Sequence, residues 1–296
     1  MIKNNKYIIY ILLALAMLTW AAAWTNAKIV TNKPYNLSEF DLLFLRFLLG
    51  TISLIPFILN KNLFQIFNTK KNITYIFSVS VLFFLYNIFF FLGTKIVAGE
   101  GSVLVTTINP IITVIIVSFI NKKIFKNQII GIIFGFIGGL TIMEIWNGYT
   151  KLIDNPYYLY FLICALTWGT ISVLTKYAQK NINPIVFIFS CYFLVTLFSI
   201  PFIEIQNIIN LKLDSTFILN FLMLSIGAMS FGTSIYMYST SIIGPVQSSV
   251  FIFTVPAISV LISALTFPEE SPTMPIIVGG MLSLIGVIIV NHKKTP

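Results

Sequence analysis

Charge is the scarcest commodity in this chain. Only 9% of its 296 residues are charged, against roughly a quarter in an ordinary soluble domain. There is one arginine, Arg46, and one histidine, His292; every other basic residue is lysine, and acidic residues number nine. A conventional soluble surface cannot be built from so few charges. The only histidine lies close to the end of the chain, and no two carboxylates share an apolar run. An enzyme would therefore lack an acid–base pair, a metal cluster or a nucleotide loop. The two cysteines, Cys164 and Cys191, both sit in apolar runs, which argues against a disulfide scaffold and offers no metal-ligand spacing. No cofactor or metal site is expected. Basic patches interleaved with aromatics are missing too, so nucleic acid is not an expected partner. A channel would show charged rings or a filter loop, and neither is visible.

What remains is apolar. Hydrophobic residues make up 57% of the chain and the mean hydropathy is +0.94, which indicates an integral membrane protein with the lipid bilayer as its surroundings. The uncharged stretch Tyr7–Ala27 is 21 residues long and has no clear small-x-small cleavage site. It reads as an uncleaved first span rather than a signal peptide. A helical span needs about 20 apolar residues, and ten such runs follow one another: 7–28, 40–60, 73–95, 101–121, 126–146, 156–177, 183–203, 216–240, 246–267 and 273–291. The last division but one is the hardest, because no charge occurs from Ser215 to Pro268. "IIGPVQSS" (Ile242–Ser249) supplies the Gly and Pro that break it. The runs do not alternate polar with apolar, so a porin-type barrel is excluded. The fold expected is an all-α membrane protein.

Lysine placement orients it. With the N-terminus in the cytoplasm, twelve lysines fall inside (Lys3, Lys6, Lys61, Lys70, Lys71, Lys122, Lys123, Lys126, Lys176, Lys180, Lys293, Lys294) and five outside (Lys28, Lys33, Lys95, Lys151, Lys212). Both termini are therefore expected in the cytoplasm of a multi-pass protein of the cell (inner) membrane. The net charge of +9 suits loops facing anionic lipid.

The chain also repeats itself. "LTWAAAWTNAK" (Leu18–Lys28) matches "LTWGTISVLTK" (Leu166–Lys176), and "TTINPIITVII" (Thr106–Ile116) matches "IFTVPAISVLI" (Ile252–Ile262). "SLIPFI" (Ser53–Ile58) matches "FSIPFI" (Phe198–Ile203), and Gly131 and Gly138 match Gly279 and Gly286. All four matches keep one order, at offsets of 145 to 148 residues. Residues 1–147 thus form a first five-helix repeat and 148–296 a second. Five is odd, so the second repeat must run through the membrane upside down, as in many secondary transporters. Two inverted halves can rock about a central site by alternating access.

These segments resemble the EamA-type branch of the drug/metabolite transporter superfamily. The resemblance rests on the "LTW" opening of each half, "FDLLFLRFLLG" (Phe40–Gly50), "GEGSVLVTTINPIITVIIVSF" across spans 3–4, "IIGPVQSSVFIFTVPAISVLISAL" and the glycine-rich last span. It covers nearly the whole chain. It implies a ten-helix inverted-repeat bundle with cytoplasmic termini, and a cavity lined mainly by spans 1, 3, 4, 6, 8 and 9. It further implies a cargo of small organic solutes, commonly amino acids and other metabolites, often moved outward. The sequence departs from the family after span 4, where an acidic residue is common but "NKK" (Asn121–Lys123) stands here; the second half keeps Glu269 and Glu270. The expected function is secondary transport of small metabolites, with export the leading direction. The alternatives are uptake or exchange of a nucleotide-like or sulfonium metabolite, or a channel. Pairing of two copies in the membrane is left open.

Candidate residues follow from polarity inside spans. Trp20 and Trp168 are repeat mates near mid-span, where a cavity wall explains a tryptophan better than an interface does. Asn87, Asn109, Tyr236, Tyr238, Gln247 and Ser248 are further candidates for the substrate cavity, although buried polar groups also tie helices together, as Asn26 could. Ser38 and Asp41 suggest a capping box starting span 2 near Glu39, which puts Arg46 about 10–12 Å inside. Arg46 either snorkels outward to Glu39, Asp41 or phosphate or faces the bundle and binds or gates; its repeat mate is Cys191. Lys28 and Lys176 are mates at opposite ends of the membrane, either helix-dipole partners or a pair of gate charges. Pro110 and Pro256 are symmetric kink positions. Glu144 lies near the outer end of span 5, too shallow for a proton-coupling carboxylate. Gly131, Gly135 and Gly139 form a small-xxx-small row read as intramolecular packing.

Overall fold

The computed structural model describes residues 6–32, 34–35, 37–96, 99–142, 157–266 and 274–292. Lys3, Lys33, Glu144, Lys151, Glu269, Glu270, Lys293 and Lys294 lie outside the described residues, as do the side chains of Lys6 and His292. Among the described residues the chain is helical. The first half contains α1 (Lys6–Thr31), α2 (Glu39–Ile58), α3 (Lys70–Ile96), α4 (Gly99–Asn121) and α5 (Lys126–Ile142). The second contains α6 (Tyr157–Ala178), α7 (Pro184–Ser199), α8 (Ser215–Ile243), α9 and α10 (Met274–His292). α9 runs end to end through Pro245–Ser249, a 3₁₀ stretch Val250–Thr254, and Val255–Thr266.

Eight of these helices are long and apolar enough to cross a membrane. The apolar helices Lys126–Ile142 and Ile277–Asn291 are shorter, so the ten-span expectation has eight full-length counterparts among the described residues. The span expected at 126–146 runs into undescribed residues. Apolar side chains project outward in helical rows, such as Tyr7, Ile11, Leu15 and Leu18 on α1 and Ile277, Met281, Leu284 and Ile288 on α10. Hydroxyl-bearing residues are buried instead, among them Ser80, Thr94, Ser172, Thr175 and Thr240. Most of their hydroxyls donate to the carbonyl one turn back, as Ser80 does to Ile76 and Thr240 to Tyr236. Such an outward apolar belt suits lipid, and the chain is a multi-pass membrane protein.

Helix packing obeys an exchange of the two halves. α3 packs on α6 as α8 packs on α1, and α4 packs on α6 as α9 packs on α1. α2 packs on its own mate α7, and α5 on its mate α10. The α5–α10 contact shows the relation at atomic level. A Cβ at Gly131 would lie 2.7 Å from the Gly286 carbonyl oxygen, and one at Gly138 would lie 2.6 Å from that of Gly279. Exchanging the halves turns the first contact into the second. The start of α5 meets the end of α10, so the two helices are antiparallel. The glycine row is turned inward throughout: Gly135 abuts Phe253 and Gly139 abuts Thr107.

Helix ends carry recognisable chemistry. The Ser38 hydroxyl accepts from the Asp41 N–H at 3.1 Å, and Asp41 Oδ2 accepts from the Ser38 N–H at 3.0 Å. This capping box starts α2 at Glu39. Asp41 is fully buried, and its Oδ1 also accepts the Glu204 N–H at 2.8 Å, which ties α2 to the segment after α7. Asp41→Ala removes both bonds and leaves two N–H groups without an acceptor, so it should cost about 1–3 kcal/mol. Asp41→Asn, which keeps one acceptor oxygen, should cost less. Thermal unfolding in detergent reads the difference, and equal midpoints for wild type and Asp41→Ala would refute the tie. The α8–α9 turn is made by Gly244, whose φ of 95° is open to glycine and strained for other residues. Pro245 then opens α9 at a position that needs no N–H.

Candidate functional site

A cavity lies where the exchange-related helices converge. Its wall is Trp20, Ala23 and Trp24 of α1, Arg46 and Phe47 of α2, and Phe83, Tyr86, Asn87 and Phe90 of α3. Val105, Thr106 and Asn109 of α4, Trp168 of α6, Ala228, Met229 and Thr233 of α8, and Ile252 and Val255 of α9 complete it. No Asp or Glu is among these residues. The free space is about 50 Å³, room for roughly four waters. An organic solute would require the helices to separate.

The two halves meet at the tryptophans. The Trp20 and Trp168 rings stand edge to face at 4.9 Å and 90°, a favoured aromatic geometry. Being repeat mates in direct contact, they sit where the exchange axis passes. Their polar ends differ. Trp20 Nε1 donates to the Ala228 carbonyl at 2.9 Å, whereas Trp168 Nε1 is buried with no hydrogen-bond acceptor in good geometry. The reason lies in the helices they face. Met223–Thr233 in the middle of α8 is wound as a π-helix, and such stretches recur at functional sites. Its carbonyls accept side-chain donors: Ala228 from Trp20, and Met229 from the Tyr192 hydroxyl at 2.9 Å. The corresponding part of α3, against which Trp168 packs through Phe83 and Tyr86, is a regular α-helix.

Arg46 is buried, 7% exposed. It turns away from Glu39 and Asp41 and donates from Nη1 to Asn87 Oδ1 at 2.7 Å. Asn87 is held in turn by its Nδ2, which donates to the Phe83 carbonyl at 2.9 Å. The guanidinium carbon lies 5.3 Å from the Phe90 ring centre and 5.7 Å from that of Phe91, within cation–π range. Its Nε is buried with no acceptor. Asn109 Oδ1 is likewise buried and unpaired.

Of the residues expected in the cavity, Trp20, Trp168, Asn87 and Asn109 line it. Tyr236, Tyr238, Gln247 and Ser248 do not. Tyr236 stands behind the tryptophans, 4.9 Å from Trp20 and 6.0 Å from Trp168, with its hydroxyl 2.8 Å from that of Ser172. Tyr238 is two residues on, turned about 200° around the helix. Gln247 and Ser248 occupy the first turn of α9, while its cavity residues, Ile252 and Val255, lie a turn or more deeper. Trp24, Tyr86 and Phe90 were not anticipated. Helical spacing could have found two of them: Trp24 is four residues from Trp20, and Phe90 is three from Asn87.

The gate candidates lie at helix ends. Lys28 and Lys176 fall in the last turns of α1 and α6. Lys176 Nζ reaches the α8–α9 turn, where a Cβ at Gly244 would stand 3.4 Å from it. Pro110 is inside α4. Pro256 is the second residue of the α-helical segment after the 3₁₀ stretch of α9; its missing N–H and its ring disturb the α ladder at that point.

A family model described as "EamA-like transporter family" matches residues 7–143 and again 155–292. The chain belongs to the EamA-like transporter family. The double match places one family unit in each half of this EamA-like chain, and the drug/metabolite transporter superfamily is its wider group. An "Uncharacterized transporter" of Archaeoglobus fulgidus (strain ATCC 49558 / DSM 4304 / JCM 9628 / NBRC 100126 / VC-16) is 27% identical over 289 residues, covering 96% of this chain and 99% of that protein. A crystal structure superposes on 96% of each chain with a TM-score of 0.69 at 18% identity, which shows a shared fold. The EamA-like protein is a membrane transporter.

Proposed function

We propose that this transporter is a secondary carrier for small organic metabolites, amino acids or related solutes, working by alternating access around the cavity between its halves. It spans the cell (inner) membrane ten times as two inverted five-helix repeats, 1–147 and 148–296, with both termini cytoplasmic. The observation that carries this reading is the Trp20–Trp168 contact. Repeat mates touch at the cavity wall, and residues of both halves line the cavity. Two further observations support it. The antiparallel pairing of α5 with its mate α10 is what inversion requires. The π-wound centre of α8 opposite the regular α3 is the kind of difference two halves would exchange as the cavity changes side. Lys28 and Lys176 serve as gate charges in this scheme, one per side, and Pro110 and Pro256 let α4 and α9 bend. Outward movement is the direction the family resemblance favours, and a carrier of this kind runs down whichever gradient is imposed.

Counterflow in proteoliposomes tests it. Vesicles preloaded with an unlabelled amino acid, nucleoside or sulfonium compound should take up the labelled form faster than empty vesicles, with saturation. Folded protein giving no trans-acceleration with any of them would sink the carrier reading. Unitary currents would replace it with a channel.

A further inference from the structure

We propose that Arg46 is the anion anchor of the cavity and that the solute carries a carboxylate beside an apolar body. This rests on the carrier reading for the site's purpose, but not for the binding chemistry. A guanidinium is always charged and offers five N–H donors in a planar fork. Here the group lines the cavity and is almost fully buried. Among the described residues it has no carboxylate partner. Its one hydrogen bond goes from Nη1 to the neutral Asn87 amide, and Nε has no acceptor. A buried, unpaired cation is costly, and phenyl faces at 5.3 and 5.7 Å recover only part of that cost. A carboxylate supplies the missing charge and accepts two N–H donors at once.

The rest of the wall describes the rest of the solute. The tryptophan pair, Tyr86 and Phe90 offer aromatic faces to an apolar body. Asn109 Oδ1, buried and unpaired, accepts from an N–H or O–H donor on the same molecule. Asn87, fixed by its bond to Phe83, positions Arg46 without neutralising it.

The test uses the full-length purified protein, whose Trp20, Trp24 and Trp168 report on the cavity by fluorescence. The probes are matched pairs differing only at the acid: 4-methylpentanoate and 4-methylpentanamide, and leucine and leucinamide. Wild type should give a saturable change with at least one acid, about tenfold or more tighter than with its amide, the scale expected of a charge-assisted contact. Arg46→Gln should abolish the preference, and Arg46→Lys should keep part of it. Asn87→Asp retains the arginine but supplies an internal carboxylate, so it should also abolish the preference, and it serves if Arg46→Gln does not fold. Equal binding of acid and amide, preference surviving in Arg46→Gln or in Asn87→Asp, or no response to any acid would overturn the proposal. Counterflow with the same pairs separates the two readings. Flux without acid preference leaves the carrier and removes the anchor; acid-specific binding without flux removes the carrier and leaves the anchor.

Discussion

Replacing Gly138 by leucine should leave little monodisperse protein. The Cβ alone would fall 2.6 Å from the Gly279 carbonyl oxygen and 2.9 Å from the Ser283 nitrogen. Both atoms are backbone, and neither moves without moving α10. The opposing Gly279 is as tightly placed, its Cβ position 2.5 Å from the Gly138 carbonyl oxygen. Overpacking a core typically costs about 1–3 kcal/mol and sometimes more. A leucine here must separate two helices along their whole contact, which puts it at or above the upper end. Gly227 is the control. A Cβ there would meet only the end of Met223, at 3.7 Å, so Gly227→Ala should be near neutral. Size-exclusion profiles and thermal unfolding of the two variants, expressed in parallel, read the contrast. A Gly138→Leu protein as monodisperse and stable as wild type would show that α5 and α10 are not in backbone contact.

That packing was partly legible beforehand, because small residues four apart mark a close helix–helix face. Which helix would occupy the face was not, since the partner lies about 150 residues away in sequence. The α8–α9 break was legible for a local reason: Gly244 and Pro245 encode a positive-φ turn followed by a helix start. The π-wound stretch inside α8 had no comparable signal. "MLSIGAMSFGT" (Met223–Thr233) contains no proline, and the donors to its Ala228 and Met229 carbonyls include Trp20 and Tyr192 on other helices.

Arg46 shows the same boundary. The sequence placed a lone arginine inside a span and gave it two plausible directions. Asp41 and Arg46 are five residues apart, about 140° around a helix, so the buried carboxylate that caps α2 and the guanidinium face different neighbours. The actual partner, Asn87, comes from another helix and could be named as a candidate but not joined to Arg46. For the aromatic residues, helical phase decided. Trp20 and Trp24 share a face, while Tyr236 and Tyr238 do not.

The second large effect should be at Trp20, and it should be unequal to that at its mate. Trp20→Ala removes a ring packed against Trp168 and Tyr236, each at 4.9 Å, and should cost about 3–5 kcal/mol. Trp20→Phe keeps most of the ring but orphans the Ala228 carbonyl of its indole donor. A cost of about 1–2 kcal/mol is expected, moderated by Thr233 Oγ1, which reaches the same oxygen at 3.3 Å. Trp168→Phe removes an N–H that makes no hydrogen bond in good geometry and reaches only the Tyr236 hydroxyl, so it should cost less than about 1 kcal/mol. Sequence symmetry alone would make the two phenylalanine variants equal. Thermal midpoints of both in one detergent decide the matter, and equal shifts would mean that the π-wound carbonyl holds nothing. The inequality also bears on transport. If the halves exchange conformations, the opposite-facing state gives the exposed carbonyl to α3 and the hydrogen bond to Trp168. Trp168→Phe would then leave this state intact while slowing counterflow, a combination that a purely structural tryptophan would not produce.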